Sequence, residues 1–483
     1  LLSPFTKEIK RAEYHAVTLQ EIKRALENWK DIDVNRVKAQ LVRRILDRWV
    51  GFAYSHLLWM SKNIARKTGT YSAGRVQTPV LKWIIDRYNE YRKSITKVYY
   101  ITLENGYRLM IEKDTLPDDI NWVDLLGKKV KVELESEEES KINPPPPYTT
   151  AEALKDISSK LRISSGEAMR ILQELFEAGL ITYHRTDSTR VSPEGIRVAK
   201  EYILSVYGDE SLFVPRSWGE KEEGAHECIR ITKPISAEML VRMLQTGELT
   251  LNIRFTRKHF GIYQLIFRRF IASQMPPAEV IKAKYRILLD SQVIGEISGV
   301  KEIKKDGFTL VLKPEIVRIE EGKLKIVDAK EGKVAKVPLY TESDIIDLMR
   351  REGIGRPSTY AIILETLNKR GYVGVSAYRK KIYPTKKGIG AYKTLMSLLE
   401  NYIRELERRR KEMADELKKI VTVEGTRELE SIMDRIERGE IDYNSVLNNI
   451  FEALRIVLDH LKKYYEETLL PNIFKEKIES KNK

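Results

Sequence analysis

The stretch GLITYHRTDSTRVS, residues 179–192, decides how the rest of this chain is read. On an extended strand alternate side chains share a face, so Tyr183 and Arg185 point one way and His184 the other. A guanidinium beside a phenol favours the phenolate, which forms near pH ~10 when unperturbed, and it also binds phosphate oxygens through two N–H groups. That pairing suits attack on a phosphodiester. Thr186, Asp187 and Ser188 follow directly, with short polar groups that hold a loop or meet a sugar–phosphate. Taken alone, the Tyr-x-Arg tripeptide favours a blander reading, surface decoration on a wing, because exposed Tyr and Arg are routine.

Just upstream, Thr149 with Glu152 and Ser164 with Glu167 each form a capping-box pattern that opens a helix. Leu154, Ile157 and Leu161 line the first helix; Met169, Leu172, Leu175 and Phe176 line the second, and Gly179 stops it. A strand, Leu180 to Arg185, comes next. Helix, turn, helix, strand is the winged-helix form of the helix-turn-helix. The same grammar returns later: Thr341 and Asp344 open a helix, GIGR (353–356) breaks it, Pro357 starts another, and a hairpin ends at Pro384-Thr385.

Before the first module, Pro144 to Pro147 form a stiff connector that neither helix nor sheet tolerates. Ahead of it run VYYITLE, YRLMIE and KVKVELE; strand-like runs resume at about Tyr263 and continue through YRILLD, GFTLVLKP and KLKIVDA to Pro338. The economical reading is one β-domain split by an inserted helical module. At the N-terminal end, Ile9 to Val17 read as one strand and Thr18 to Ser94 as helices. In the helix capped by Asp33, Val37, Leu41, Ile45 and Trp49 recur at helical spacing, with Arg36, Arg43 and Arg44 on other faces, set to meet phosphate or simply solvated. From Ala391 onward the chain is helical and charge-rich.

With 483 residues the chain divides into about three or four domains. Lys plus Arg exceed Asp plus Glu by 85 to 70, a net +15, which makes a polyanion the first partner to consider; heat adaptation or solubility is the alternative source of so charged a surface. One cysteine, Cys228, excludes an internal disulfide and a multi-cysteine zinc site, and points to a reducing, cytoplasmic setting. No apolar run approaches the roughly 20 residues of a membrane span, so no membrane partner is expected. The chain opens Leu1-Leu2-Ser3 without Met, which suggests that something once continued upstream.

Three further clusters carry chemistry. In SAGRVQTP (72–79), small residues ahead of a Pro-bearing helical turn leave backbone N–H groups that, with Arg75, make an anion site; Gln77 reads a base edge or caps the turn, and an incidental arginine at a helix start is the competing reading. In GAHECIR (224–230), His226 and Arg230 would share one side of a helix; neighbours such as His226, Glu227 and Cys228 diverge too much to hold a metal. In GIGRPSTY (353–360), Arg356, Ser358 and Thr359 stand at a glycine-rich helix mouth suited to phosphate. No GxxxxGK[ST] occurs, so ATP is not expected to bind this chain.

SAGRVQTP, GLITYHRTDST, AHECIR, FRRFIASQM (267–275) and GIGRPSTYA, in that order, resemble the type IA DNA topoisomerase family. PPPPYTT and LFEAGLITYHRTDSTRVS resemble the wording of its reverse gyrase subgroup. The resemblance implies a multidomain α+β toroid: a residual last Toprim strand (1–17), a helical DNA-binding domain (18–95), a β-arch (96–147), a winged-helix-like domain with the catalytic tyrosine (148–258), the rest of the arch (259–338), and a helical domain with a second winged-helix-like module (339–483). It implies that Tyr183 forms a 5′-phosphotyrosine, Arg185 stabilises charge on the phosphate, and His226 lies near the cleavage site. Arg75, Gln77, Thr186, Asp187, Ser188, Arg356, Ser358 and Thr359 would contact DNA. The family's magnesium-binding Toprim acids have no match here. On this reading Mg²⁺ is bound by a Toprim domain on a second polypeptide or upstream segment, and ATP only by a helicase module beyond this chain. The rival readings are a non-catalytic single-strand-binding scaffold and a fragment of an ordinary type IA enzyme.

Overall fold

A computed structural model describes residues 9–61, 71–117, 119–219, 227–377 and 380–469. In chain order the elements are α1 (Leu19–Glu27), α2 (Val34–Met60), α3 (Gln77–Lys93), β1 (Ile95–Leu103), β2 (Arg108–Glu112), α4 (Trp122–Leu125) and β3 (Lys129–Ile142). Then come α5 (Thr150–Asp156), α6 (Ser165–Glu177), α7 (Pro193–Tyr207), α8 (Ala237–Thr246) and α9 (Arg257–Ser273). Strands β4 (Ala278–Leu289), β5 (Gln292–Lys305) and β6 (Gly322–Ala335) follow, then α10 (Glu342–Arg351), α11 (Tyr360–Lys369) and the hairpin β7 (Val373–Val375) and β8 (Ile382–Pro384). Helices α12 (Lys386–Glu407), α13 (Lys411–Lys419), α14 (Val423–Glu437) and α15 (Tyr443–Tyr464) follow, and a π-helical turn, Tyr465–Leu469, ends the described chain. Two compact units result. Unit 1 comprises Leu1–Glu13, Ala25–Tyr88 and Leu339–Lys483; unit 2 comprises Tyr14–Arg24 and Asn89–Pro338.

Unit 2 is built on a six-stranded antiparallel sheet in the order β2-β1-β6-β3-β4-β5. Alternation puts Tyr99, Ile101, Ile111, Val130, Ile287 and Ile326 into one buried cluster. Strands β3 and β4 pair as far as Ile142 opposite Ala278, so the chain leaves the sheet and returns to it at a single rung. Everything between is the inserted helical module.

Several sequence expectations need correction. FGIYQLIFRRFIAS is helix α9, because Ile262, Tyr263, Ile266, Phe267, Phe270 and Ile271 are buried at helical spacing; the strands resume at Ala278, and the boundary expected at 259 falls inside the inserted module. GFTLVLKP is a 3-10 turn, Phe308–Leu310, drawn in by Phe308 N–H donating to the Pro276 carbonyl at 3.0 Å. Ile9 to Val17 is extended, with isolated bridges at Arg11 and Ala16 instead of one strand. On α2 the buried line is Ala39, Val42, Leu46, Val50, Ala53 and Leu57, whereas Val37 and Leu41 of the expected line are exposed. The helix carries apolar residues on more than one face, so periodicity alone did not pick the packed one. Pro357 precedes α11, which starts at Tyr360.

Candidate active site and nucleic-acid interface

Tyr183 follows α6, whose end is fixed by Gly179 at φ +69°, a left-handed turn that favours glycine. A Cβ there would lie 2.7 Å from the Val17 carbonyl oxygen, so the N-terminal segment packs directly on this turn. The next residues are held from two sides. Thr182 N–H donates to the Arg230 carbonyl at 2.9 Å and its hydroxyl to the Cys228 carbonyl at 2.7 Å, while Tyr183 N–H donates to the His15 carbonyl at 2.7 Å. The expected strand is therefore reduced to isolated bridges at Ile181 and Thr182, with a bend at His184.

The alternation of faces survives that bend: Tyr183 and Arg185 are half-buried and His184 is fully buried. The Tyr183 ring meets Phe176 edge-on, centroids 5.2 Å apart, and His184 at 5.4 Å. Its hydroxyl has no hydrogen-bond partner among the described residues, and neither does Arg185 Nε. Burial, and then the charge of Arg185, push His184 down to about 4, so near neutral pH its ring is uncharged. The fixed cation beside the phenol is the Arg185 guanidinium.

Thr186 is 1% exposed and structural: its N–H donates to Thr150 Oγ1 at 2.8 Å and its hydroxyl oxygen accepts from Ser188 N–H at 3.0 Å. Ser188 in turn accepts from Arg190 N–H at 3.1 Å, and Asp187 is left exposed at the tip of this turn. Residues 227–231 run extended beside residues 180–182, and His226 lies outside the described residues. Arg230 is buried and donates to Glu227 at 2.6 and 3.0 Å, to Ser192 Oγ at 3.2 Å and to the Ile231 carbonyl at 2.9 Å. Glu227 is held below the usual carboxylate range by Arg230 and Ser192 despite the opposing effect of its burial.

In unit 1, the first three N–H groups of SAGRVQTP are taken within the protein: Ser72 donates to the Tyr372 hydroxyl at 2.7 Å, Ala73 to Ser55 Oγ at 3.2 Å and Gly74 to Thr78 Oγ1 at 3.4 Å. Arg75 is 3% exposed and pairs with Asp47 at 3.0 Å and Glu430 at 3.1 Å. Gln77 caps back onto the Ser72 carbonyl at 3.3 Å. Arg356 donates to Glu430 at 3.0 Å and Asp434 at 2.8 Å, and Thr359 ties the loop by accepting from Arg356 N–H at 2.9 Å. Ser358 is exposed at that loop.

Sequence reading missed a stripe on α2. Arg44, Arg48, Phe52, His56 and Trp59 succeed one another at three- and four-residue steps, which puts them on one face. Phe52 is 48% exposed and Trp59 45%, with His56 between them at centroid distances of 3.9 and 4.3 Å. Neither Arg44 nor Arg48 pairs with a carboxylate among the described residues. Cations followed by exposed aromatic rings are what a single-stranded nucleic acid needs. The spacing is present in the sequence, but the apolar periodicity of the same helix overlaps it. Among the described residues no three His, Cys, Asp or Glu side chains converge as a metal set, so the magnesium implied by the resemblance finds no fitting donors here. No described helix is long and apolar enough to cross a membrane.

Residues 31–448 match the profile of the family described as DNA topoisomerase. The chain is 43% identical over 465 residues to a reverse gyrase of Pyrococcus furiosus, covering 94% of this chain and 35% of that protein. It is 42% identical over 468 residues to a reverse gyrase of Pyrobaculum aerophilum, covering 95% and 35%. It thus spans about a third of the length of these relatives. Full-length topoisomerase I from Thermotoga maritima superposes with a TM-score of 0.66 at 29% identity, over 92% of this chain and 72% of that one. This chain belongs to the type IA DNA topoisomerase family.

Proposed function

We propose that this chain is the strand-cleaving and rejoining part of a reverse gyrase. The Tyr183 phenol oxygen attacks a phosphodiester of one DNA strand, forming an O–P bond as the bond from phosphorus to O3′ breaks. The phenol proton leaves and the departing O3′ takes one up. The 5′-phosphotyrosine keeps the bond's energy, so rejoining is the same step reversed and needs no nucleotide. Arg185 stabilises the charge on the phosphate oxygens. The observation that carries this reading is Tyr183: half-buried, its hydroxyl without a protein partner among the described residues, two residues from a fixed guanidinium, on a backbone gripped from both sides.

The α2 stripe holds the strand, bases against Phe52 and Trp59, phosphates at Arg44 and Arg48. Asp187 and Ser188 meet the sugar–phosphate beside Tyr183, with Ser358 and Thr359 at a second contact; Arg75, Gln77 and Thr186 shape these surfaces from within. The inserted module moves relative to the sheet at Pro144 to Pro147. Because the relatives are about three times as long as the matched part, metal-binding acids and an ATP-driven module come from outside it, on a second polypeptide or another segment. The working compartment is the cytoplasm, where the DNA is.

The test mixes the full chain with 3′-end-labelled single-stranded DNA, magnesium and a Toprim-bearing partner, then denatures. Label is expected to stay with the protein, and Tyr183→Phe is expected to abolish it while DNA binding persists. Binding without any adduct under every partnered condition would instead establish a scaffold.

A further inference from the structure

Three guanidinium groups from three segments converge on Glu430 of α14. It is 3% exposed. Arg75 Nη1 reaches its Oε1 at 3.1 Å and Arg356 Nε its Oε2 at 3.0 Å; Arg43 of α2 donates to the same Oε2. Two outer acids complete the cluster, Asp47 on Arg75 at 3.0 Å and Asp434 on Arg356 at 2.8 Å. One turn before Glu430, the buried Thr426 hydroxyl donates to the Arg75 carbonyl at 3.0 Å, so α14 fixes both the backbone and the side chain of Arg75.

The three cations differ in exposure. Their side chains are 2% exposed at Arg75, 18% at Arg43 and 39% at Arg356. Arg75 is the buried support. Arg43 Nε and Nη1 and Arg356 Nη1 have no protein acceptor among the described residues. Arg43 adjoins the α2 stripe and Arg356 adjoins Ser358 and Thr359, so one carboxylate sets the spacing between two proposed strand contacts.

We infer that Glu430 is a positioning residue for DNA: its carboxylate aligns the Arg43 and Arg356 guanidinium groups so that both engage phosphates of one strand. This rests on the function proposed above. The converse view, that Glu430 merely neutralises these arginines, makes the opposite forecast, because removing an acid would free them and strengthen phosphate binding.

The test is oligothymidylate binding by the full chain across a salt series, with thermal unfolding followed in parallel, for wild type, Glu430→Gln and Glu430→Asp. Losing one aligned phosphate contact on a single strand makes the slope of log K against log salt shallower by about 0.7. That loss is expected for Gln, with Asp in between. With a Toprim-bearing partner, adduct formation at saturating DNA is expected to fall about tenfold or more for Gln and less for Asp, since misplacement of a positioned group costs rate more than binding. An unchanged or steeper slope in both variants overturns the inference. Should Gln fail to fold, Asp, which keeps the charge on a shorter stem, decides by the same criterion. A wild type that forms no adduct defeats the transesterification reading, and the slope still decides the role of Glu430.

Discussion

His184 is a buried imidazole, neither of whose ring nitrogens has a hydrogen-bond partner among the described residues, placed next to Tyr183. Burial and Arg185 hold it at about 4, below the ordinary 6.5. Between these values the unfolded chain binds a proton that the folded chain does not, so this contribution to stability is complete above pH ~6.5 and is lost as the pH falls toward 4, amounting to up to about 3 kcal/mol. Denaturant unfolding of wild type and His184→Phe at pH 7 and pH 4.5 checks it: wild type should lose about 2–3 kcal/mol more than the variant on acidification, and equal losses would show that the ring titrates normally. The alternation of Tyr183, His184 and Arg185 was legible because it depends on adjacent residues. The burial of Arg75 was not, because the partner that claims it, Glu430, lies 355 positions away.

Between the sheet and the inserted module the chain crosses twice, and side chains clamp both crossings. Arg269 donates to the Pro146 carbonyl at 2.6 Å and lies over the Tyr148 ring at 4.9 Å. Arg216 donates to the Ser273 and Met275 carbonyls at 2.9 and 2.7 Å, and Gln274 returns a bond to the Arg216 carbonyl at 2.9 Å. Gly307 packs on the second crossing, where an added Cβ would stand 2.3 Å from the Pro276 oxygen and 2.5 Å from that of Pro277. Gly307→Ala therefore forces backbone apart, and a loss of about 2–4 kcal/mol is expected in equilibrium unfolding; an unchanged midpoint would mean that the crossing yields freely. Strands β1, β2, β3, β4 and β6 were legible as β-prone runs, whereas β5 was not singled out, and the capping signals of Thr149, Ser164 and Thr341 placed three helix starts. The α9 boundary and the 3-10 turn at Phe308 were not, because a short apolar run reads alike as strand, helix or packed turn.

At the scale of the whole molecule, a net +15 makes binding to DNA strongly salt-dependent, but the charge alone does not say which residues meet the strand. The α2 stripe separates two contributions. Arg44→Gln with Arg48→Gln should make the salt slope of single-strand binding shallower by about 1.4, whereas Phe52→Ala or Trp59→Ala should cost about 1–3 kcal/mol and leave the slope unchanged. Equal effects on the slope from both pairs would remove the stripe from the interface. The central claim is the bond to Tyr183, and the most direct measurement of it is mass spectrometry of the proteolysed adduct trapped with a Toprim-bearing partner. The expected result is one modified peptide, containing residues 179–192, with the nucleotide joined through its 5′-phosphate to Tyr183. Nucleotide on another residue, or joined through a 3′-phosphate, would contradict the account.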